Sequence, residues 1–294
     1  METSQPWTME SSWSSRLVGP IEEQAWLDQA ADYVLELAKP LLEMPQAGKV
    51  MDFLHGRWFG HPLHPVLTDV PIGLWTGSLL LDLVGAHKSA GVLSAAGSAA
   101  ALGAAATGFA DWSDAVGRDR RLGILHGLLN VGGLALQTLS LSARLRRRKT
   151  SALMLSVAGL SVSTAAAYLG GELVFGRGVM VNRDAWISGP EEWTPVAPEA
   201  EVKEGAMKPA ELGGRQILLY REMGRVHAIE GTCSHLGGPL NEGTVEDGVV
   251  TCPWHGSRFS LTDGSVCGGP ATFPVPQLET RIQGGQVEVR GRQG

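Results

Sequence analysis

Four apolar stretches in succession constrain this chain more than any other feature of its sequence. They run over about residues 65–86, 89–110, 122–143 and 151–171. Each has about the 20 residues needed to cross the hydrocarbon core of a bilayer. The second, third and fourth hold no Asp, Glu, Lys or Arg, and the second is rich in Ala and Gly (SAAGSAAALGAAATG). Such small residues let helices approach closely within a membrane. A bundle of buried helices in a soluble protein is the rival reading, and four such runs joined by loops this short make it the weaker one.

With four spans, the start of the first, the end of the second, the start of the third and the end of the fourth share one side of the bilayer. The N-terminus and everything after the fourth span are expected on that side too. Two signals for its identity oppose each other. The loop between spans three and four carries Arg144, Arg146, Arg147, Arg148 and Lys149, which the positive-inside rule would leave in the cytoplasm. The other side has its own cations (Lys49, Arg57, Arg118, Arg120, Arg121, Arg177 and Arg183), and the start METSQPWTMESSWSS lacks the basic and apolar regions of a cleavable signal.

Before the spans, residues 1–20 are polar and expected to be mobile. Ile21, Ala25, Ala30, Val34, Leu37 and Leu41 then recur at helical spacing. That amphipathic helix either lies on the bilayer or packs on a neighbour, and its acidic face weakens any pull toward lipid. Residues 1–48 are thus read as tail and helix, 49–180 as the membrane domain. After it the composition changes. Residues 181–191 open a Gly-, Pro- and Glu-rich linker, and 192–294 contain the strand-like runs ILLY, VHAI, GVVTC and QVEVR separated by Gly-containing turns. The expected fold is two domains, an N-terminal all-α transmembrane four-helix bundle and a C-terminal all-β domain. A net charge of −6 gives no sign of a nucleic-acid surface.

Three cysteines are present, all beyond residue 230, too few for a disulfide framework. Two of them sit in Cys233-Ser-His235-Leu-Gly-Gly-Pro-Leu and Cys252-Pro-Trp-His255-Gly-Ser-Arg-Phe. Two Cys-plus-His pairs supply two thiolates and two imidazoles. Thiolates suit the ferric iron of an iron–sulfur cluster, and neutral histidines in place of two of them raise its potential. Zinc accepts the same donors. Cys267 is left over and is expected to be a small buried side chain.

The residues after each pair separate the two readings. Leu236-Gly237-Gly238-Pro239-Leu240 and Gly256-Ser257-Arg258-Phe259 resemble the two cluster-binding loops of the Rieske [2Fe–2S] family, over about residues 192–290. Gly268-Gly269-Pro270-Ala271 resembles its third, proline-containing covering loop. The resemblance implies a [2Fe–2S] cluster on Cys233, His235, Cys252 and His255, tuned by Leu236, Ser257, Phe259, Gly269 and Pro270. In the quinol-oxidising branch of that family, cysteines stand where Gly238 and Trp254 are here, so the loop disulfide of that branch is excluded. Ser257 matches a serine that hydrogen-bonds the cluster there, whereas Phe259 stands where its tyrosine would be. Donated hydrogen bonds favour the reduced cluster. Keeping one of two implies a potential in the lower half of the roughly −150 to +300 mV Rieske span.

The membrane half, over about residues 50–180, resembles a family of four-span bacterial membrane proteins of uncharacterised function. The stretches that carry this are His61-Pro-Leu-His64-Pro-Val-Leu-Thr-Asp69, Asp111-Trp112, His126-Gly-Leu-Leu-Asn130 and Tyr168-Leu-Gly-Gly-Glu172 through Arg177. All fall near the side of the membrane that the C-terminal domain occupies. Polar groups at membrane depth are costly and mark a site by default. His64 and His126, with His61 as alternate, suit the axial positions of a haem b. With Asn130, they equally suit a quinone head group, Asp69 or Glu172 taking the protons. A purely structural polar cluster is the third reading, and Asp111, Arg118 and Arg121 read as loop solvation. His87 and His227 read as exposed or structural, and His55 is given no role.

The expected function is a membrane-anchored carrier of single electrons between the cluster and a membrane redox site or a partner. The alternative is a redox or iron–sulfur sensor with the bundle as plain anchor. A Rieske oxygenase is not expected, because 39 residues follow His255, too few for the non-haem iron domain it needs. The expected partners are the lipid bilayer, an unidentified electron donor and acceptor, and a membrane redox complex or a second copy of the chain, at the cytoplasmic membrane.

Overall fold

The computed structural model describes residues 13–292; the expectations for residues 1–12 lie outside the described residues. Seven helices come first: α1 (Trp13–Glu22), α2 (Trp26–Leu42), α3 (Ala47–Leu54), α4 (Leu63–Leu83), α5 (His87–Ser113), α6 (Gly117–Leu145) and α7 (Lys149–Gly171). Ten strands follow: β1 (Thr194–Pro198), β2 (Met207–Leu212), β3 (Arg215–Glu222), β4 (Arg225–Glu230), β5 (Thr244–Glu246), β6 (Val249–Thr251), β7 (Arg258–Ser260), β8 (Val266–Gly268), β9 (Gln277–Gln283) and β10 (Gln286–Gly291). The described residues divide into two compact units, one formed by residues up to 44 and 64–179, the other by 45–63 and those from 180 on.

In the first unit α4, α5, α6 and α7 are the four expected apolar helices, each long and apolar enough to cross a membrane. Leu80, Leu83, Val92, Leu102, Leu139, Leu145 and Met154 are exposed on them, while the buried faces of α5, α6 and α7 are mostly Ser, Gly and Ala, with Trp75 of α4 packed among them. Apolar outside and small inside is the arrangement for a helix bundle in lipid, where packing rather than water exclusion drives association. The amphipathic segment packs on a neighbour: Leu27 and Ala31 of α2 sit against Ile124 of α6.

Helix begins at Trp13, so residues 13–20 are ordered rather than mobile. The cause is Val18, which is buried against Leu122 and Leu169. Arg121 grips both carboxylate oxygens of Asp28, at 2.9 and 2.6 Å, and Arg120 reaches Asp32 at 2.6 Å. Arg118 lies 3.8 Å from Glu22, and Arg177 pairs with Glu22 as well. Arg118 and Arg121 therefore tie the amphipathic helices to α6, a correction to their reading as loop solvation. Asp111 is buried too.

In the second unit the strands form two antiparallel sheets, ordered β1-β10-β9-β4-β3-β2 and β5-β6-β7-β8. β3 is buried on both faces, so its apolar run is unbroken: Ile217 and Leu219 enter one core, Leu218 and Tyr220 the other. The second core contains Cys233, Cys252, Leu240, Val250 and Phe259 and lies under the smaller sheet. Residues 181–191 fold back on this unit, Arg183 N–H donating to Ser234 O (3.0 Å) and Gly291 N–H to Pro190 O (2.8 Å). The segment 45–63, of which the sequence reading gives 45–48 to the amphipathic helix and 49–63 to the membrane half, also belongs here.

Candidate metal centre

Cys233 and His235 lie on the loop joining β4 to β5, and Cys252 and His255 on the hairpin loop joining β6 to β7. The two loops are built alike. Gly237 N–H donates to Cys233 O at 2.9 Å, and Gly256 N–H to Cys252 O at 3.1 Å. Each turn closes on a glycine with positive φ, +81° at Gly237 and +71° at Gly256, where a side chain would be strained. Cys233 N–H then donates to Gly238 O and Cys252 N–H to Ser257 O, both at 2.8 Å. Two short Gly-closed turns thereby present a Cys and a His each.

The four side chains converge. The rings of His235 and His255 are 5.2 Å apart and nearly perpendicular, at 86°. The two thiols share a hydrogen bond. A Cβ on Gly238 would stand 2.8 Å from the Cys252 sulfur, so this glycine leaves room for it. His235 is 5% exposed, and neither of its ring nitrogens has a hydrogen-bond partner. A buried imidazole without partners is costly, and a metal on one nitrogen would relieve that atom's share of the cost.

The charge states suit the same use. The shared hydrogen bond and the main-chain N–H groups of Trp254 and His255 pull the Cys252 thiol down to about 6, while Cys233, holding that bond's proton in a buried site, is pushed up. Burial, and then His255, pull His235 down to about 3, keeping it a neutral imidazole. Two thiols and two imidazoles fit a [2Fe–2S] cluster with mixed ligation.

Around this set Ser257 is fully buried; its hydroxyl bonds the Cys233 sulfur and accepts from Ala271 N–H at 3.2 Å. Phe259 is fully buried in the same core, and Leu236, half-buried, follows His235 directly. The third loop crosses the second at Gly269 (φ +80°), where a Cβ would come within 2.6 Å of Gly256 O; Pro270 beside it is buried. Cys267 is exposed, not buried. It lies on the edge strand β8, whose alternation turns Val266 toward the core and Cys267 outward.

Sequence reasoning missed α3 and the turn after it. Asp52 accepts a hydrogen bond from Gly269 N–H at 3.1 Å, Arg57 donates to Cys267 O at 2.8 Å, and the two side chains pair at 2.9 Å. His55 is 2% exposed and acts electrostatically on His235. No local pattern signals contacts across more than 200 residues; the polar Asp52 and Arg57 beside an apolar span were the available hint. On the other side His255 is partly exposed and Trp254 is 55% exposed.

Of the membrane-side residues, the structure brings together His64, His126 and Asn130. The two rings are 6.1 Å apart, and Asn130 Nδ2 donates to His126 Nε2 at 3.2 Å. Asp69 is exposed on α4, and Glu172 begins a π-helical turn (Glu172–Gly176) beside Gly176. His61 does not join the pair: its ring stacks edge-on with Phe273 at 5.5 Å in the second unit. His87 pairs with Asp82 (3.0 Å), and His227 with Thr262 O (3.1 Å).

Comparison with known proteins agrees with this geometry. Residues 192–279 match the family model described as Rieske [2Fe–2S] domain, and residues 60–183 the one described as predicted membrane protein (DUF2231). Over 98 residues the chain is 36% identical to the anthranilate 1,2-dioxygenase ferredoxin subunit of Burkholderia cepacia, covering 33% of this chain and 91% of that protein. It is 32% identical over 90 residues to apoptosis-inducing factor 3 of Mus musculus, covering 31% of this chain but 15% of that relative's length. The solved ferredoxin of carbazole 1,9a-dioxygenase from Nocardioides aromaticivorans IC177 is matched at 24% identity and a TM-score of 0.32, over 35% of this chain and 100% of that one. The chain belongs to the Rieske [2Fe–2S] family, its Rieske domain fused behind a DUF2231 predicted membrane domain.

Proposed function

We propose that Cys233, His235, Cys252 and His255 hold a [2Fe–2S] cluster and that the chain moves single electrons at the cytoplasmic membrane of a bacterium. The cluster would supply a one-electron couple. The electrons would pass between it and a redox group in the bundle, haem b or quinone at His64 and His126, or a partner protein. The observation that carries this reading is the buried His235 with both ring nitrogens unpartnered, across from a second histidine and two hydrogen-bonded thiols.

The chain's own residues fit the task. Ser257 and the main-chain N–H groups of Trp254 and His255 stabilise negative charge on the thiolates, as electron uptake requires. His255 with Trp254 gives the site an accessible edge where a partner can approach. An even span count returns the chain to the side from which it entered, so the tethered domain stays at one membrane surface.

The test is stopped-flow spectroscopy of the full chain in detergent, reduced by one equivalent of dithionite and mixed with ferricyanide or with decylubiquinone. Reoxidation within seconds by either supports the carrier. A cluster that forms but stays reduced for minutes with both overturns it in favour of a sensor.

A further inference from the structure

The bundle is one helical hairpin used twice. Residues of α4 and α5 match, without a gap, those 62 positions later in α6 and α7. Ser78 Oγ donates to Ala90 O at 2.7 Å, and Ser140 Oγ to Ala152 O at 2.6 Å. The loops repeat as well: Gly85 N–H donates to Asp82 O and Arg147 N–H to Arg144 O, with Ala86 to Leu81 O and Arg148 to Ala143 O beside them. Gly85 and Arg147 both have positive φ, +82° and +58°. Asp82 and Arg144 occupy the same place in the two halves and pair with each other at 2.6 Å.

His64 and His126 are equivalent residues of this repeat. His64 Nδ1 lies 2.9 Å from Ala104 O, and His126 Nδ1 lies 2.7 Å from Ala166 O, again equivalent positions. A carbonyl can only accept, so both Nδ1 atoms carry the proton and both Nε2 atoms keep a lone pair. The Asn130 amide nitrogen, 3.2 Å from His126 Nε2, can donate to that lone pair. Each ring lies in a notch left by a glycine of its own hairpin: a Cβ on Gly108 would come within 2.6 Å of His64, and one on Gly170 within 3.0 Å of His126. The ring centres are 6.1 Å apart and the planes cross at 88°. Two imidazoles bound to opposite faces of one metal, with metal–nitrogen bonds of about 2.0 Å and about 1 Å more to each ring centre, are separated by about 6 Å.

From this we infer that His64 and His126 are the two axial ligands of one haem iron, set by the duplication on equivalent helices. The inference deepens the reading of the bundle as a redox partner of the cluster, and it favours haem over quinone. Both ring N–H groups are spent on backbone carbonyls, so neither ring offers a donor to a quinone carbonyl, whereas both offer a lone pair to a metal. Binding would require the Asn130 amide to release His126 Nε2, with His126 O, already accepting from it at 3.0 Å, keeping it satisfied.

The test is the optical and EPR spectrum of the full chain purified in detergent from cells supplied with a haem precursor, then titrated with haemin. We expect one b-type haem per cluster, with a low-spin spectrum and the strongly anisotropic EPR signal of crossed imidazole planes. His64→Ala and His126→Ala should each reduce bound haem to background while the reduced cluster's EPR signal persists, and His61→Ala should leave it unchanged. Should those variants fail to fold, His126→Met should keep the haem and shift its spectrum. A Soret band absent after haemin titration, with the cluster signal intact, overturns the inference and leaves the carrier reading standing, whether or not quinone co-purifies. A Soret band that all three substitutions of the pair leave unmoved overturns it as well. A missing cluster signal with haem present would instead count against the carrier.

Discussion

The carboxylate of Asp52 accepts a hydrogen bond from Gly269 N–H at 3.1 Å, so a residue just before the first span fastens the loop that crosses over the candidate cluster site. Arg57 reinforces it from the same segment through Cys267 O. The covering loop is held by the chain's own N-terminal half rather than by a disulfide between the cluster loops.

Removing that fastening should expose the cluster. Asp52→Ala removes that hydrogen bond, about 1 kcal/mol, and the ion pair that positions Arg57, so cluster loss under a chelator should be at least about fivefold faster. Bleaching of the visible spectrum in excess EDTA measures it. The same rate in Asp52→Ala, Arg57→Ala and the unaltered chain would show that this segment does not cover the site.

The potential should follow the hydroxyls beside the cysteine sulfurs. Ser257→Ala removes a donor to Cys233 and should lower the midpoint on the order of 60 mV, the one-electron equivalent of about 1.4 kcal/mol. Phe259→Tyr should raise it by a similar amount if the new hydroxyl reaches a cysteine sulfur. Redox titration followed by EPR reads both shifts, and a midpoint of the unaltered chain in the upper half of the Rieske span would contradict the tuning argument.

Asp184 should make stability fall as pH rises. It is buried with neither carboxylate oxygen hydrogen-bonded, and burial, then Glu230, push it up to about 7. The folded chain therefore keeps a proton that the unfolded chain, with a carboxyl near 3.8, gives up. Stability from this source is full below about pH 4, declines toward about pH 7 and is flat above, a loss on the order of a few kcal/mol. Asp184→Asn should flatten that decline in thermal unfolding from pH 4 to 8; an unchanged profile would exclude it.

The duplicated hairpin makes a charge exchange testable. Asp82 and Arg144 are both nearly buried, so Arg144→Ala should cost about 3 kcal/mol, the low end for breaking a buried pair, because His87 still faces Asp82. Because the two positions are equivalent, the double exchange Asp82→Arg with Arg144→Asp should recover most of the melting temperature in detergent. Additive losses would contradict the equivalence.

The sequence made the four spans and the two Cys–His turns legible because both are local. Span length and apolarity are carried by consecutive residues, and Gly237 and Gly256 follow their ligands within a few positions. What stayed hidden depends on distant contacts. Asp52 and Arg57 reveal their role only against Gly269 and Cys267, and the order of residues 13–20 depends on Val18 meeting Leu122 and Leu169. Cys267 faces solvent, against the expected burial, because a three-residue edge strand is too short for its alternation to show in sequence. The repeat is masked because the residues the hairpins share are nearly all Leu, Ser, Ala and Gly, while the distinctive ones differ: Trp75 answers Gln137, and Asp82 answers Arg144. The geometry they share is carried by Ser, Gly and Ala positions, which look alike throughout a membrane helix.

The most direct measurement is the EPR spectrum, with iron and zinc content, of the dithionite-reduced full chain. Two irons and two inorganic sulfides per chain are expected, with the Rieske-type signal of one histidine-ligated ferrous and one cysteine-ligated ferric iron, lost in Cys252→Ser and His255→Ala. One tightly bound zinc per chain with no EPR signal, in protein purified without air, would contradict it.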